Sequence, residues 1–417
     1  MTQLDEHDQA AAGDQIAPIP RITIQAFCET NETASAVNYA ASDRRMLKTH
    51  VKVHMGGLSA AVEAFRDSPT PNLIILESHG SRQDLLARLG ELAEFCDPTT
   101  KVIVIGRSND ILLYRELIAQ GVSDYLVAPL PVLRLVQAIS TLYAAKGKPL
   151  GRVIAVTGVK GGVGASTLAH NIGFLFARDY QTPTIVADLD VSFGTAALNF
   201  NQDSGGGIVD ALIAPNFDHA RLDGLLIRCG DMLSLLPSPA TVDRLTDITD
   251  LRMDAVMDAL RATTPIIVAD VPHVWTSWAK RCLVTADDVV LVANPDLASL
   301  RNARNLIDEL KAARPNDSPP HLVLNMTGTP KKMEISEGDF SKAADAPVAC
   351  SIPFDPKSFG AAANNGQMLS EIADAARVND VIAGLTRLLA GKAEPRVAKK
   401  QTLLSPIIEL FNKARAS

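Results

Sequence analysis

The stretch Arg152–Asn171, RVIAVTGVKGGVGASTLAHN, carries the residue types of a phosphate cradle. Gly161, Gly162 and Gly164 free the backbone, so successive N–H groups can turn into one concave nest, and the following helix adds the positive end of its dipole. The common form G-x-x-x-x-G-K-[ST] has a lysine that reaches the outer phosphates and a hydroxyl that ligates Mg²⁺. Ala165 stands at that lysine position, between Gly164 and Ser166, while Lys160 precedes the glycine pair. The apolar run Val153–Val156 before the loop, and Leu168, Ile172 and Leu175 at helical spacing after it, supply the strand–loop–helix context that separates this motif from a plain tight turn. The candidate cradle is Lys160, Gly161, Gly162, Val163, Gly164, Ala165, Ser166 and Thr167.

Downstream, PTIVADLD ends in Asp188 and Asp190, and PIIVAD, after a short amphipathic helix at Leu251–Ala262, ends in Asp270. Carboxylates at the C-terminal ends of parallel strands face the ligand crevice of a doubly wound sheet. Asp270 stands where a carboxylate supports a Mg²⁺ shell with the loop hydroxyl, here Ser166. The competing reading of Asp188 and Asp190 is a pair of loop carboxylates capping the next helix. Further strands are expected at Val289–Ala293, Leu322–Asn325 and Ser351–Asp355. The only tryptophans, Trp275 and Trp278, read as helix packing.

With 417 residues, 47% hydrophobic and 21% charged, the chain reads as a globular protein of at least two domains. The net charge of −7 offers no broad basic surface for nucleic acid. Cys28, Cys96, Cys229, Cys282 and Cys350 form no C-x-x-C pair, which speaks against a zinc site or a disulfide framework and for the reducing cytoplasm. His50 and His54, four apart, read as solvated or packed side chains in preference to metal ligands. Met1–Pro18 carries Asp5, Glu6, Asp8 and Asp14 without lysine or arginine, so residues 1–20 read as a disordered acidic tail and not a secretory signal. No run reaches transmembrane length.

Over 21–145, short β-type runs at Ile22–Phe27, Leu73–Leu76, Val102–Ile105 and Asp124–Val127 alternate with helical stretches such as Ser81–Phe95 and Asp110–Gln120, the pattern of an open parallel sheet. Order and spacing resemble a response-regulator receiver domain. In that family an aspartate accepts phosphate, an acidic pair holds Mg²⁺, and a hydroxyl and a lysine read the phosphoryl group. The matching positions are Glu77, Cys28-Glu29, Gly106 and Ala128, so the resemblance implies a pseudo-receiver, either a docking or dimerisation surface or a structural domain. Residues 146–152 read as an exposed linker, with the nucleotide-binding domain at 153–390.

K-G-G-x-G is similar to the variant loop of ParA/MinD ATPases. Together with DLDVSFGTAALNF, DVPHVWTSW, NPDLASLRNARNL and IPFDPKSFGAAANNGQ, it resembles the CpaE/TadZ family, polar ParA/MinD-like proteins that help position and assemble Flp-type (tight adherence) pili and also carry a degenerate receiver. The resemblance implies an α/β chain with a flavodoxin-like receiver domain and a P-loop domain, a homodimer holding ATP and Mg²⁺, pilus machinery and polar landmark proteins as partners, and a place at a cell pole beside the inner membrane. It assigns Lys160 to the partner's nucleotide and Asp190 to the attacking water. Ser166, Asp188, Asp190 and Asp270 fall to the metal, and Asn325, Pro353, Phe354 and Asp355 to the base. Without a lysine at Ala165, ATP binding is expected to survive and hydrolysis to be slow or absent. The competing function is a cycling ATPase that positions DNA or protein cargo. The tail 391–417 holds six basic residues against two acidic ones, with Leu403, Leu404, Ile407, Ile408 and Phe411 at helical spacing, and reads as a weak membrane contact or a protein-docking segment.

Overall fold

The structure, a computed structural model, describes residues 16–144, 150–203, 206–214, 217, 219–239 and 248–391. The acidic segment before Ile16, most of the expected linker and the basic tail beyond Gly391 lie outside the described residues.

In the N-terminal domain β1 (Thr23–Cys28), α1 (Asn31–Ala41), β2 (His50–Met55), α2 (Gly57–Phe65), β3 (Leu73–Glu77), α3 (Arg82–Ala93), β4 (Lys101–Gly106), α4 (Ile111–Ala119), β5 (Asp124–Val127) and α5 (Val132–Tyr143) alternate. The five strands run in the order β2-β1-β3-β4-β5. Every residue of β3, LIILE, is buried, as a central parallel strand covered on both faces requires. The sequence reading has no counterpart of β2, where His50, Lys52 and His54 alternate with Val51 and Val53 and pair only with β1 at the sheet edge. Ile16 and Ile19, expected in a disordered tail, are instead buried in the core with Ile24, Leu73 and Ile139.

The second domain contains β6 (Arg152–Gly158), α6 (Ala165–Asp179), β7 (Thr184–Asp188), α7 (Ala196–Asn199), α8 (Ile208–Ile213), α9 (His219–Leu225), β8 (Ile227–Arg228), β9 (Leu233–Leu236), α10 (Asp250–Thr263), β10 (Ile266–Val271), α11 (Ser277–Thr285), β11 (Asp288–Ala293), α12 (Leu297–Ala313), β12 (His321–Thr327), α13 (Glu337–Ala344), β13 (Val348–Pro353), α14 (Pro356–Asn365) and α15 (Ala376–Leu389). Its eight strands run β13-β12-β11-β6-β10-β7-β9-β8, with β8 antiparallel to β9 and the other pairings parallel. Because β6 lies between β10 and β11, the chain leaves its C-terminal end where the strand order reverses. That is where an open α/β sheet forms its ligand crevice. One core layer contains Leu260, Ile307 and Phe340, and the other Ile172, Phe176 and Leu385.

The domains meet at the opposite end of this sheet, where its strands begin. The turn Asp43-Arg44-Arg45 enters a polar basin: Arg44 donates to Asp317 and to the Thr285 carbonyl, and Arg45 pairs with Asp43 at 3.0 Å and with Asp317. Arg261 closes on Asp287 at 2.7 Å, Arg314 on Asp317 at 3.2 Å, and Asn316 donates to Asp43 at 2.9 Å. Burial would raise the carboxyls of Asp287 and Asp317, but the adjoining arginines more than offset it and hold both below the usual carboxylate range. Removing one partner from such a buried network costs about 3–5 kcal/mol, because a charge is left unpaired.

Candidate functional site

The cradle is shaped by close approach. A Cβ at Gly158, the last residue of β6, would lie 2.7 Å from Val163 and 2.8 Å from the Lys160 carbonyl. Gly162 and Gly164 have φ of +75° and +89°, left-handed backbone that glycine adopts without strain. The loop is pinned through its carbonyls, Asn302 Nδ2 donating to Val159 at 3.0 Å and Asn325 Nδ2 to Val163 at 2.8 Å. α6 then begins at Ala165 with no capping side chain, so its first N–H groups and its positive dipole end remain receptive to an anion.

Asn325, expected at a base, is 3% exposed and has both ends of its amide engaged, Nδ2 on the Val163 carbonyl and Oδ1 on the Met326 N–H. Its place in this arrangement is the wall of the cradle. Pro353 ends β13, Phe354 donates its N–H to the Thr327 carbonyl at 2.8 Å, and Asp355 caps α14 by accepting from the Ser358 N–H at 3.0 Å. Lys160 turns aside to Asp296, the N-cap of α12, at 2.7 Å. Burial opposes ionisation of Asp296, but hydrogen bonds from Lys160 and Ser299, with the lysine's charge, outweigh it and hold the carboxyl at about 2.

The three carboxylates divide their work. Asp188 is fully buried; its Oδ2 accepts from the Ala196 N–H at 3.0 Å and the Ser238 hydroxyl at 3.2 Å, and its Oδ1 from the Asp190 N–H at 3.2 Å. Burial, with the charge of Asp270 added, pushes its carboxyl well above the usual range, against the pull of His170 and of those N–H groups. Asp188 therefore fastens the segment 190–196, and Gly194 permits this, since a Cβ there would come within 2.3 Å of Asp188 Oδ2. Asp190 accepts from the Ser192 and Phe193 N–H groups at 3.3 and 3.0 Å, a loop-capping carboxylate. Among the described residues no three His, Cys, Asp or Glu side chains are arranged to hold a metal. Mg²⁺ keeps several waters and takes one or two carboxylates besides phosphate oxygens. Ser166, on the first turn of α6, and Asp270, near the C-terminal end of the neighbouring strand β10, are of the donor types that lesser demand asks for.

The N-terminal domain treats its own helix end differently. Glu77, 1% exposed, accepts from the N–H groups of Glu29 (2.7 Å) and Thr30 (2.9 Å) and from the hydroxyls of Thr30 (2.8 Å) and Thr33 (2.7 Å), and His79 Nε2 lies 3.1 Å away. Burial would raise its carboxyl, yet these hydrogen bonds prevail and lower it. Tyr125 fills the space over Gly106, where an added Cβ would lie 2.3 Å from its hydroxyl, and donates to the Ser108 carbonyl at 2.9 Å. The helix entrance and the end of β4 are thereby occupied by the domain's own side chains.

Sequence reasoning missed Asn302, Gly194, Ser238 and His170, which act on backbone or on one another across long separations. Only His170 left a signal, a polar side chain on the buried face of α6. Of the tryptophans, Trp278 packs in the core as expected, whereas Trp275 is 49% exposed beside the cradle edge.

No family model matches the chain. A pilus assembly protein CpaE from Caulobacter crescentus CB15 is 50% identical over its match to the N-terminal part, covering 98% of that chain and 31% of this one, with a TM-score of 0.31. A ParA family ATPase from Chlorobium tepidum TLS is 22% identical over 98% of its chain and 57% of this one; its TM-score of 0.52 shows a shared fold. The septum site-determining protein MinD of Synechocystis is 26% identical over 164 residues, 39% of this chain and 60% of its own. Across the first such MinD relatives, the chain spans 60–65% of their length.

Proposed function

Because the chain belongs to the CpaE family of pilus assembly proteins, we propose that it serves assembly of Flp-type pili as an ATP-binding, dimerising scaffold at a cell pole, with slow or absent hydrolysis. The observation that carries this reading is a phosphate cradle complete in its backbone, from the left-handed glycines to the uncapped α6, with Ala165 in place of a catalytic lysine. Phosphoryl transfer depends on placed positive charge, whereas binding is supported by backbone N–H groups and the helix dipole. Ser166 and Asp270 would hold Mg²⁺, which when bound would neutralise phosphate charge. Gly161 to Thr167 surround the phosphates, and Pro353 to Asp355 lie where a base would rest. Asp190, on the loop after β7, would orient the attacking water, and Lys160, once released by Asp296, would reach a second copy.

Dimerisation is supported by an apolar rim at the same edge of the sheet. Phe193 is 77% exposed and Leu297 75%, with Leu198, Val274, Trp275 and Met333 also exposed on loops or helices that follow β7, β10, β11 and β12. Exposed large apolar groups gathered at one edge mark an interaction surface. ATP that binds the paired form more tightly shifts the population toward it by that differential affinity alone. The N-terminal domain, with Glu77 sealing its helix end, contributes surface and not phosphotransfer.

Equilibrium binding of ATP with Mg²⁺, followed by sedimentation with and without nucleotide, tests the reading. Binding with a shift to dimer is expected, with no turnover above that of Asp190→Ala. Turnover that Asp190→Ala abolishes would replace the scaffold by a cycling ATPase; no ATP binding would remove the nucleotide from the mechanism.

A further inference from the structure

The inner face of α6 is apolar at Leu168, Ala169 and Ile172, yet it carries His170, which is 0% exposed. Its Nδ1 lies 2.9 Å from Nδ2 of Asn199, the last residue of α7. The amide nitrogen donates and Nδ1 accepts, which leaves Nε2 as the ring nitrogen turned toward Asp270. Nε2 is buried without a hydrogen-bond partner among the described residues, and it faces Asp270 Oδ2 at 3.5 Å, just past hydrogen-bond length. The Phe200 ring packs at 5.7 Å on one side. Either an apolar side chain or a closed hydrogen bond would suit so dry a position better than an N–H short of its acceptor.

The surroundings give the histidine a task. α7 is a single turn held at both ends: Asp188 takes the N–H of Ala196 at its start, and His170 holds the side chain of Asn199 at its end. α7 also bears Leu198 and follows Phe193, two members of the exposed rim. His170 thus stands on the helix that follows the cradle and faces both the Asp270 carboxylate near the end of β10 and the segment that leads to the rim. We propose that His170 is a positioning residue that ties α7 to the Asp270 end of β10, so that occupation of the cradle is felt as ordering of residues 191–200 at the rim. This rests on the nucleotide reading above, and it assigns His170 no contact with nucleotide.

The test uses the full chain, a fluorescent ATP analogue with Mg²⁺ to measure affinity, and hydrogen exchange of residues 191–200 with and without it. His170→Asn keeps an acceptor for Asn199 but cannot approach Asp270, His170→Leu keeps neither, and Asn199→Ala cuts the link from the far side without altering the α6 core. Nucleotide should slow exchange of 191–200 in the parent protein. In all three variants that protection should fall by about tenfold, within the usual range of coupling between sites, while affinity for the analogue stays within about threefold. Equal protection in parent and Asn199→Ala, with affinity retained, overturns the tie through His170 and leaves the nucleotide reading intact. Failure of the parent protein to bind the analogue overturns both.

Discussion

Each domain brings the end of a parallel strand beside the N-terminus of a helix, and the two ends are used in opposite ways. At α1 the chain supplies its own anion: Glu77 reaches across from β3 and takes two backbone N–H groups and two hydroxyls. At α6 no side chain caps the helix, and left-handed glycines open the backbone in front of it. A helix N-terminus attracts anions wherever it occurs. It becomes a ligand site only where the protein leaves it unfilled; at α1 the Thr30 hydroxyl takes the Thr33 N–H and Glu77 takes the two N–H groups just ahead of the helix.

The contrast breaks most sharply at the filled end. Glu77→Ala should destabilise the N-terminal domain by about 3 kcal/mol, since several buried donors lose their acceptor together, as urea unfolding would register. Because the folded Glu77 carboxyl lies below its ordinary value of 4.5, its stabilisation is present above that value and is lost as pH falls through the lowered one; melting curves between pH 6 and pH 3, a window set about the ordinary glutamate range, should follow that course until Glu77→Ala flattens it. At the open end, Gly164→Ala places a Cβ 2.4 Å from Asn325 Nδ2 on a left-handed backbone, and should cost about 2 kcal/mol with at least a tenfold loss of ATP affinity by calorimetry. Ala165→Lys sharpens the comparison by adding charge to an unfilled site. One charge-assisted bond, about 1.5 kcal/mol, should tighten ATP roughly tenfold; an unchanged affinity would mean that the cradle does not receive phosphates. Lys160→Ala should change thermal stability least, by about 0.5 kcal/mol, because its pair with Asp296 is solvent-screened.

Much of this was legible because local pattern and fold agree. Buried β-type runs such as IIVAD and LIILE, and the glycines around Lys160, placed the central strands and the cradle within a residue or two, while β13 begins three residues before the expected Ser351. Strand β2 escaped because an edge strand with His50, Lys52 and His54 has no continuous apolar run; the two-residue β8 is too short to carry a pattern, and the four-residue β9, Leu233–Leu236, was missed with it. Charge-bearing residues were harder than glycines. A carboxylate after a strand looks alike whether it faces a ligand, as inferred for Asp270, or fastens a loop, as Asp188 and Asp190 do. The hold of Asn325 on the Val163 carbonyl was not legible for the same reason, since the two are distant in sequence.

The Asp43-Arg44-Arg45 turn seats the N-terminal domain where the strands of the large sheet begin, while the cradle and its apolar rim lie where they end. Two copies joined rim to rim would therefore form an elongated, two-headed particle with an N-terminal domain at each tip. Whatever surface such a tip offers is then displayed twice and faces outward in opposing directions. Nucleotide-driven pairing would convert a weak single grip into a bivalent one, gaining avidity from geometry without any new contact.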